Sequence, residues 1–129
     1  MPVTEDSLAV ETFQRLEQAA SADPQALADL CRDYLLEARR TLQQLSAAVA
    51  QKDAVQLCSR AHYLRGSSLV IGATVVASCC AALEQMGSNV EFRDAALLLE
   101  KTSRALDAVA AELVRRLGRA VLPAKGSAA

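Results

Sequence analysis

The stretch DPQALADLCRDYLLEARRTLQQLSAAV, residues 23–49, decides the fold. Asp23-Pro24 is a helix start signal, a capping carboxylate followed by proline at the first helical position. From there Leu27, Cys31, Tyr34, Ala38, Leu42, Leu45 and Val49 recur three or four residues apart. They keep one apolar stripe for about seven turns. A helix of that length needs partners of similar length, and the flanking sequence supplies them.

On the N-terminal side, Thr4 can cap a first helix running to about Ala20, with Glu5 and Asp6 in its first turn and Ala9, Phe13, Leu16 and Ala20 as its stripe. On the C-terminal side, Lys52-Asp53 predicts a turn, with Asp53 capping a third helix that carries Leu57, Ala61, Leu64 and Ser68. Gly72 is a natural break after Ile71. A fourth helix follows on Val76, Cys79, Cys80, Leu83 and Met86, and Gly87 is expected to end it. Ser88-x-x-Glu91 matches a capping box for a fifth helix, with Phe92, Ala96, Leu99, Ser103, Leu106, Ala110, Leu113 and Leu117 along one side. The pattern stops at Gly118. Short connections between long amphipathic helices imply antiparallel neighbours. The expected fold is therefore all-α: an up-and-down antiparallel four-helix bundle with an additional N-terminal helix across one end or side. The bundle occupies residues 1–118, and residues 119–129, with Pro123 and Gly126, are expected to form a flexible C-terminal tail.

Composition agrees. Of 129 residues, 52% are apolar but only 3% are aromatic and none is Trp, so the core is aliphatic. Five Gly and three Pro leave few turns for a many-stranded sheet. Fourteen cations against 15 carboxylates give a net charge of −1, with no electrostatic footprint for nucleic acid or an anionic membrane. No run approaches the roughly 18 apolar residues of a membrane span. Met1 to Asp6 lack the basic start and apolar stretch of a signal peptide. Three of the four cysteines fall on apolar stripes, where a reduced thiol acts as a small hydrophobe. A cytoplasmic, reducing compartment and a monomer are the expectation.

The third helix contains the only histidine, in Ala61-His62-Tyr63-Leu64-Arg65-Gly66-Ser67-Ser68. At about 100° per residue, His62 lies roughly 120° from the core direction, so it should be at least half exposed. Arg65 is its neighbour one turn on. Gly66 sits in a helix interior, where glycine costs about 1 kcal/mol relative to alanine. A missing side chain there lets another protein approach the imidazole. Val55, Ser59, Gly66 and Leu69 project near His62 and are the candidate partner-binding rim. Cys58 and His62, four apart, with Cys79-Cys80 later, lack the Cys-x-x-Cys pairing of a zinc site, so no metal is expected on this chain. Arg39-Arg40 and Arg115-Arg116 read as solvated helix faces.

The segment from Ala61 to Ala73 resembles the signature of histidine-containing phosphotransfer (HPt) domains: alanine-histidine, then leucine, a basic residue, glycine, small residues and a later glycine-alanine. Leu83-Glu84 is similar to that family's leucine-glutamate pair. The resemblance implies that His62 is the phosphorylated residue and that Arg65 stabilises the phosphoryl group. Arg65 stands where the family usually has lysine, so a planar fork replaces a point charge. It also implies partners: a response-regulator receiver domain with an acceptor aspartate and a bound Mg2+, and a hybrid sensor histidine kinase. A neutral imidazole nitrogen is a competent nucleophile for this chemistry. No local acid–base partner or Mg2+ cage is evident on this chain, so no cofactor is expected on it. The expected role is a phosphoryl carrier in a two-component phosphorelay, without catalytic turnover of its own. A helical adaptor that binds a receiver or kinase without carrying phosphate is the alternative, and a buried or unreactive His62 would favour it.

Overall fold

The computed structural model describes residues 7–123. It contains α1 (Val10–Ala19), α2 (Pro24–Ala50), α3 (Ala54–Ile71), α4 (Thr74–Ser88) and α5 (Ala95–Leu117), then a short 3-10 turn, Arg119–Val121. Among the described residues there is no strand. The four long helices close a ring: α2 packs on α3, α3 on α4, α4 on α5, and α5 back on α2. The short connections make successive members antiparallel. Helix α1 packs on α2 and α3 from outside the ring.

Local chemistry sets most helix boundaries. The Asp23 side chain accepts the Ala26 N–H at 3.2 Å, and Pro24 opens α2. The Asp53 side chain accepts the Gln56 N–H at 3.1 Å and opens α3. Gly72 closes α3 in the left-handed conformation, φ +85°, where a side chain would be strained. Its carbonyl accepts the Ala9 N–H at 2.7 Å, which ties the start of α1 to the α3–α4 turn.

Four expectations need correction. Helix α1 begins at Val10, and its preceding residue Ala9 makes no side-chain cap; the bond to Gly72 serves that N–H instead. The proposed Thr4 cap and its companions Glu5 and Asp6 lie outside the described residues. Gly87 does not end α4, which runs through Ser88. The left-handed residue there is Val90, φ +51°, and the Glu91 N–H reaches back to the Met86 carbonyl at 2.9 Å. Ser88 therefore belongs to α4 and caps nothing; α5 starts only at Ala95, and Ala96, expected on the stripe, is exposed. Finally, the proposed flexible tail is structured at its beginning, since Val121 in the 3-10 turn is fully buried.

The core is aliphatic. Leu45, Leu57, Leu64, Leu83, Leu106 and Leu113 are all buried, joined by Phe13 from α1 and Val121. Each such leucine contributes roughly 1.5–3 kcal/mol by leaving water. The buried polar groups are satisfied locally: Thr41 and Thr102 donate to carbonyls one turn back, and the Tyr34 and Ser68 hydroxyls pair at 2.7 Å. This packing fixes α3 with Leu57, Ala61, Leu64 and Ser68 inward. The opposite face is thereby presented to solvent.

Candidate functional site

His62 lies mid-way along α3 with a side chain 67% exposed. Val55, Ser59, Gly66 and Leu69 fall within about 60° of it around the helix axis, by the ~100° step of an α-helix. All four are exposed, Val55 at 75% and Leu69 at 52%. A Cβ built on Gly66 meets nothing within 4 Å, so no contact inside the fold requires glycine there. The exposed apolar surface is wider than expected. Tyr63 and Val70 continue it toward α2, and Val90, 70% exposed at the end of α4, shares a groove with Val55 and Ser59. Sequence reasoning missed Val90, because its conformation and position depend on how α4 ends.

The imidazole also has a partner that sequence reasoning did not assign. Glu84, on α4, places Oε2 3.0 Å from His62 Nδ1 and Oε1 3.0 Å from Arg65 Nε. Arg65 Nη2 lies 3.2 Å from the same Nδ1. The expectation that the imidazole has no local partner is thus corrected: the Glu84 carboxylate lies within hydrogen-bonding distance of it. Leu83-Glu84 was visible as a motif, but nothing in the sequence alone gives the register between α3 and α4.

These two contacts ask for opposite tautomers of the ring. A carboxylate only accepts and a guanidinium only donates. A bare Nδ1 lone pair 3.0 Å from the carboxylate oxygen would be repelled by it. The shorter contact decides: Nδ1 carries the proton and donates to Glu84 at 3.0 Å, Arg65 Nη2 at 3.2 Å is a charge contact because a protonated Nδ1 has no lone pair to accept it, and Nε2 keeps the lone pair. Arg65 is held chiefly by its charge, since its buried Nε makes no hydrogen bond despite the 3.0 Å approach to Glu84. With Arg65 36% and Glu84 23% exposed, solvent screening keeps this ion pair weak. The guanidinium is close to His62 yet not committed to a tight geometry, so an arriving anion can recruit it.

The cysteines play no part in this arrangement. Burial pushes the Cys31 thiol up to about 11 and the Cys80 thiol up to about 12, so both remain protonated and unreactive. Cys58 sits one turn before His62 with its sulfur 3.4 Å from the Ser88 hydroxyl. Among the described residues, no group of three or more His, Cys, Asp or Glu side chains is placed to hold a metal ion. No helix among them is long and apolar enough to cross a membrane.

Comparison with known proteins bears on this geometry. A family model described as the Hpt domain matches residues 29–120, which include His62, Arg65 and Glu84. Over 81 residues, 63% of this chain, the sequence is 33% identical to multistep phosphorelay regulator 1 of Schizosaccharomyces pombe (strain 972 / ATCC 24843). The match spans only 27% of that relative's length. The fold matches the crystal structure of histidine-containing phosphotransfer protein B from Pseudomonas aeruginosa PAO1 with a TM-score of 0.82 at 24% identity, covering 90% of this chain and 98% of that one. At that identity the structural likeness speaks for the fold, and the family match speaks for the lineage. The chain belongs to the family of histidine-containing phosphotransfer domains.

Proposed function

We propose that this chain carries a phosphoryl group between aspartates of receiver domains, with His62 Nε2 as the acceptor. The observation that carries the reading is the 67% exposed His62 side chain whose Nδ1 is engaged by Glu84 at 3.0 Å, which leaves Nε2 as the free ring nitrogen. Transfer balances without a proton leaving or arriving. The Nε2 lone pair attacks the phosphorus of a receiver's aspartyl phosphate, the acyl P–O bond breaks, and the aspartate departs as a carboxylate. The ring becomes a phosphorylated imidazolium that still holds its Nδ1 proton. Glu84 faces that new positive charge, and Arg65 is close enough to meet the phosphoryl oxygens. Because Nδ1 stays protonated, the ring remains a good leaving group for the onward step. Exposure of His62 supports carriage over the adaptor alternative.

The Mg2+ and the aspartate belong, in this reading, to the receiver. The chain supplies a nucleophile and a docking face, and turns over nothing alone. Val55, Ser59, Gly66 and Leu69 form that face, with Leu69 and Val55 as its apolar anchors. A hybrid sensor kinase is the upstream donor, the chain acts as a monomer, and the buried protonated thiols suit a reducing cytoplasm. The test is incubation with a panel of phosphorylated receiver domains. Wild type should gain acid-labile phosphate and His62→Gln should gain none, with helicity and melting temperature nearly unchanged because the side chain is exposed. Undiminished labelling of His62→Gln refutes the assignment.

A further inference from the structure

Gly87 lies in the last full turn of α4 and is buried. Glycine costs about 1 kcal/mol relative to alanine in a helix interior. Its conformation does not demand glycine, because the left-handed glycines are Gly72 and Gly118. The demand is steric. A Cβ at Gly87 would stand 2.6 Å from the Cys58 backbone nitrogen, 2.8 Å from the Ala54 carbonyl oxygen and 2.9 Å from the Cys58 Cα. All three are backbone atoms of α3, so no flexible side chain can move aside. The missing Cβ lets α4 lie directly against the α3 backbone.

That contact is one turn from the phosphoacceptor site. Gly87 follows Glu84 by three residues on one face of α4, and Cys58 precedes His62 by four on α3. The helices are antiparallel, so the seam at Gly87 and Cys58 sets the distance that the Glu84 carboxylate must span. To bring the closest contact to ordinary van der Waals separation, the two backbones must part by about 0.8 Å. The same shift applied to the 3.0 Å bond between Glu84 and His62 carries it beyond hydrogen-bonding range.

We propose that Gly87 is a positioning residue for His62: its missing Cβ sets the α3–α4 spacing at which Glu84 holds the Nδ1 proton, and so leaves Nε2 as the nucleophile. Its consequence for phosphotransfer rests on the functional reading above, but the tautomer itself is readable without phosphate. The measurement is a long-range 1H–15N correlation spectrum of the labelled, unphosphorylated chain, under conditions where the ring is neutral. Wild type should show Nδ1 protonated and Nε2 bare. Gly87→Ala, made in the helix-stabilising Gly66→Ala background to help it stay folded, should lower the ratio of Nδ1–H to Nε2–H tautomers by roughly fivefold, the loss of one ordinary hydrogen bond. Leu106→Ala, a core truncation on α5, should leave the ratio unchanged although it destabilises the fold, which separates positioning from general weakening. If Gly87→Ala does not fold, Glu84→Asp withdraws the carboxylate by one methylene with the seam intact, and the same fall in ratio is expected. A folded Gly87→Ala with the wild-type ratio overturns the proposal. So does an unchanged ratio in Glu84→Asp. A wild-type chain that shows the Nδ1–H tautomer, with the shift in Gly87→Ala, yet accepts no phosphate from any receiver refutes the phosphoacceptor reading and leaves the Gly87 assignment standing.

Discussion

Gly66 offers a perturbation in which stability and transfer should move in opposite directions. Nothing lies within 4 Å of a Cβ built there, so a side chain adds no clash. Replacing an exposed helical glycine by alanine should stabilise the fold by up to about 1 kcal/mol, which raises the melting temperature by roughly 2–8 °C at this size. Glutamine is a comparably good helix former, so Gly66→Gln should also melt higher than wild type. Docking should suffer. Gly66 is one turn from His62, about 6 Å along the axis and about 40° around it. Helical side chains lean toward the N-terminus, so the introduced group leans back over the imidazole. Loss of about 2 kcal/mol of docking energy, the scale of an interface hot spot, corresponds to roughly 30-fold in receiver affinity. Receiver titration, single-turnover transfer and thermal melts on wild type, Gly66→Ala and Gly66→Gln give the comparison. Leu69→Glu should weaken receiver binding more than folding, since Leu69 is 52% exposed. If Gly66→Gln melts higher yet transfers at the wild-type rate, the glycine has no docking role and the proposed face loses its main support.

Arg65→Ala should slow transfer without abolishing it, since the guanidinium supplies charge near Nδ1 and not the nucleophile; complete loss in a single-turnover assay contradicts that role. Val90 adopts φ +51°, a conformation that costs a side-chain-bearing residue roughly 1–2 kcal/mol. Val90→Gly should therefore raise the free energy of urea unfolding by about 1 kcal/mol, and a clear decrease refutes the strain argument. Burial raises the folded thiols of Cys31 and Cys80 from 9.0 to about 11 and about 12. The unfolded chain then loses protons that the folded chain keeps, so this contribution to stability is complete below pH 9 and is lost as pH rises through 11–12. A urea series across that window should show falling stability. Native-state alkylation followed by mass spectrometry should label Cys58 well before Cys31 or Cys80.

What could be read from the sequence divides by range. Asp23-Pro24, Asp53 and Gly72 act within three or four residues, and each sets the boundary its chemistry predicts. The stripe of α4 is equally local, and Val76, Cys79, Cys80 and Leu83 are buried as expected. The exposure of His62 follows from the angle between it and Leu57 or Leu64 on a single helix. The failures involve a second helix or strand of chain. The beginning of α1 is fixed by the bond from Ala9 to Gly72, residues far apart in sequence. Ser88 has the right spacing to Glu91 for a capping box, yet its hydroxyl faces Cys58 on α3. Gly87 looks like a terminator and is instead the point where two backbones meet. Glu84 reaches His62 only because α3 and α4 pack in one register, which no periodicity within either helix encodes. The exposed imidazole was therefore legible, and the carboxylate that meets it was not.

The most direct test of the account locates the phosphate on the ring. The chain, labelled with 15N at histidine, is phosphorylated by its receiver and examined by 1H–15N and 31P correlation at alkaline pH, where phosphohistidine persists. The phosphate should sit on Nε2 of His62, one per chain, with the proton retained on Nδ1 beside Glu84. Phosphate on Nδ1, or on any residue other than His62, contradicts the account.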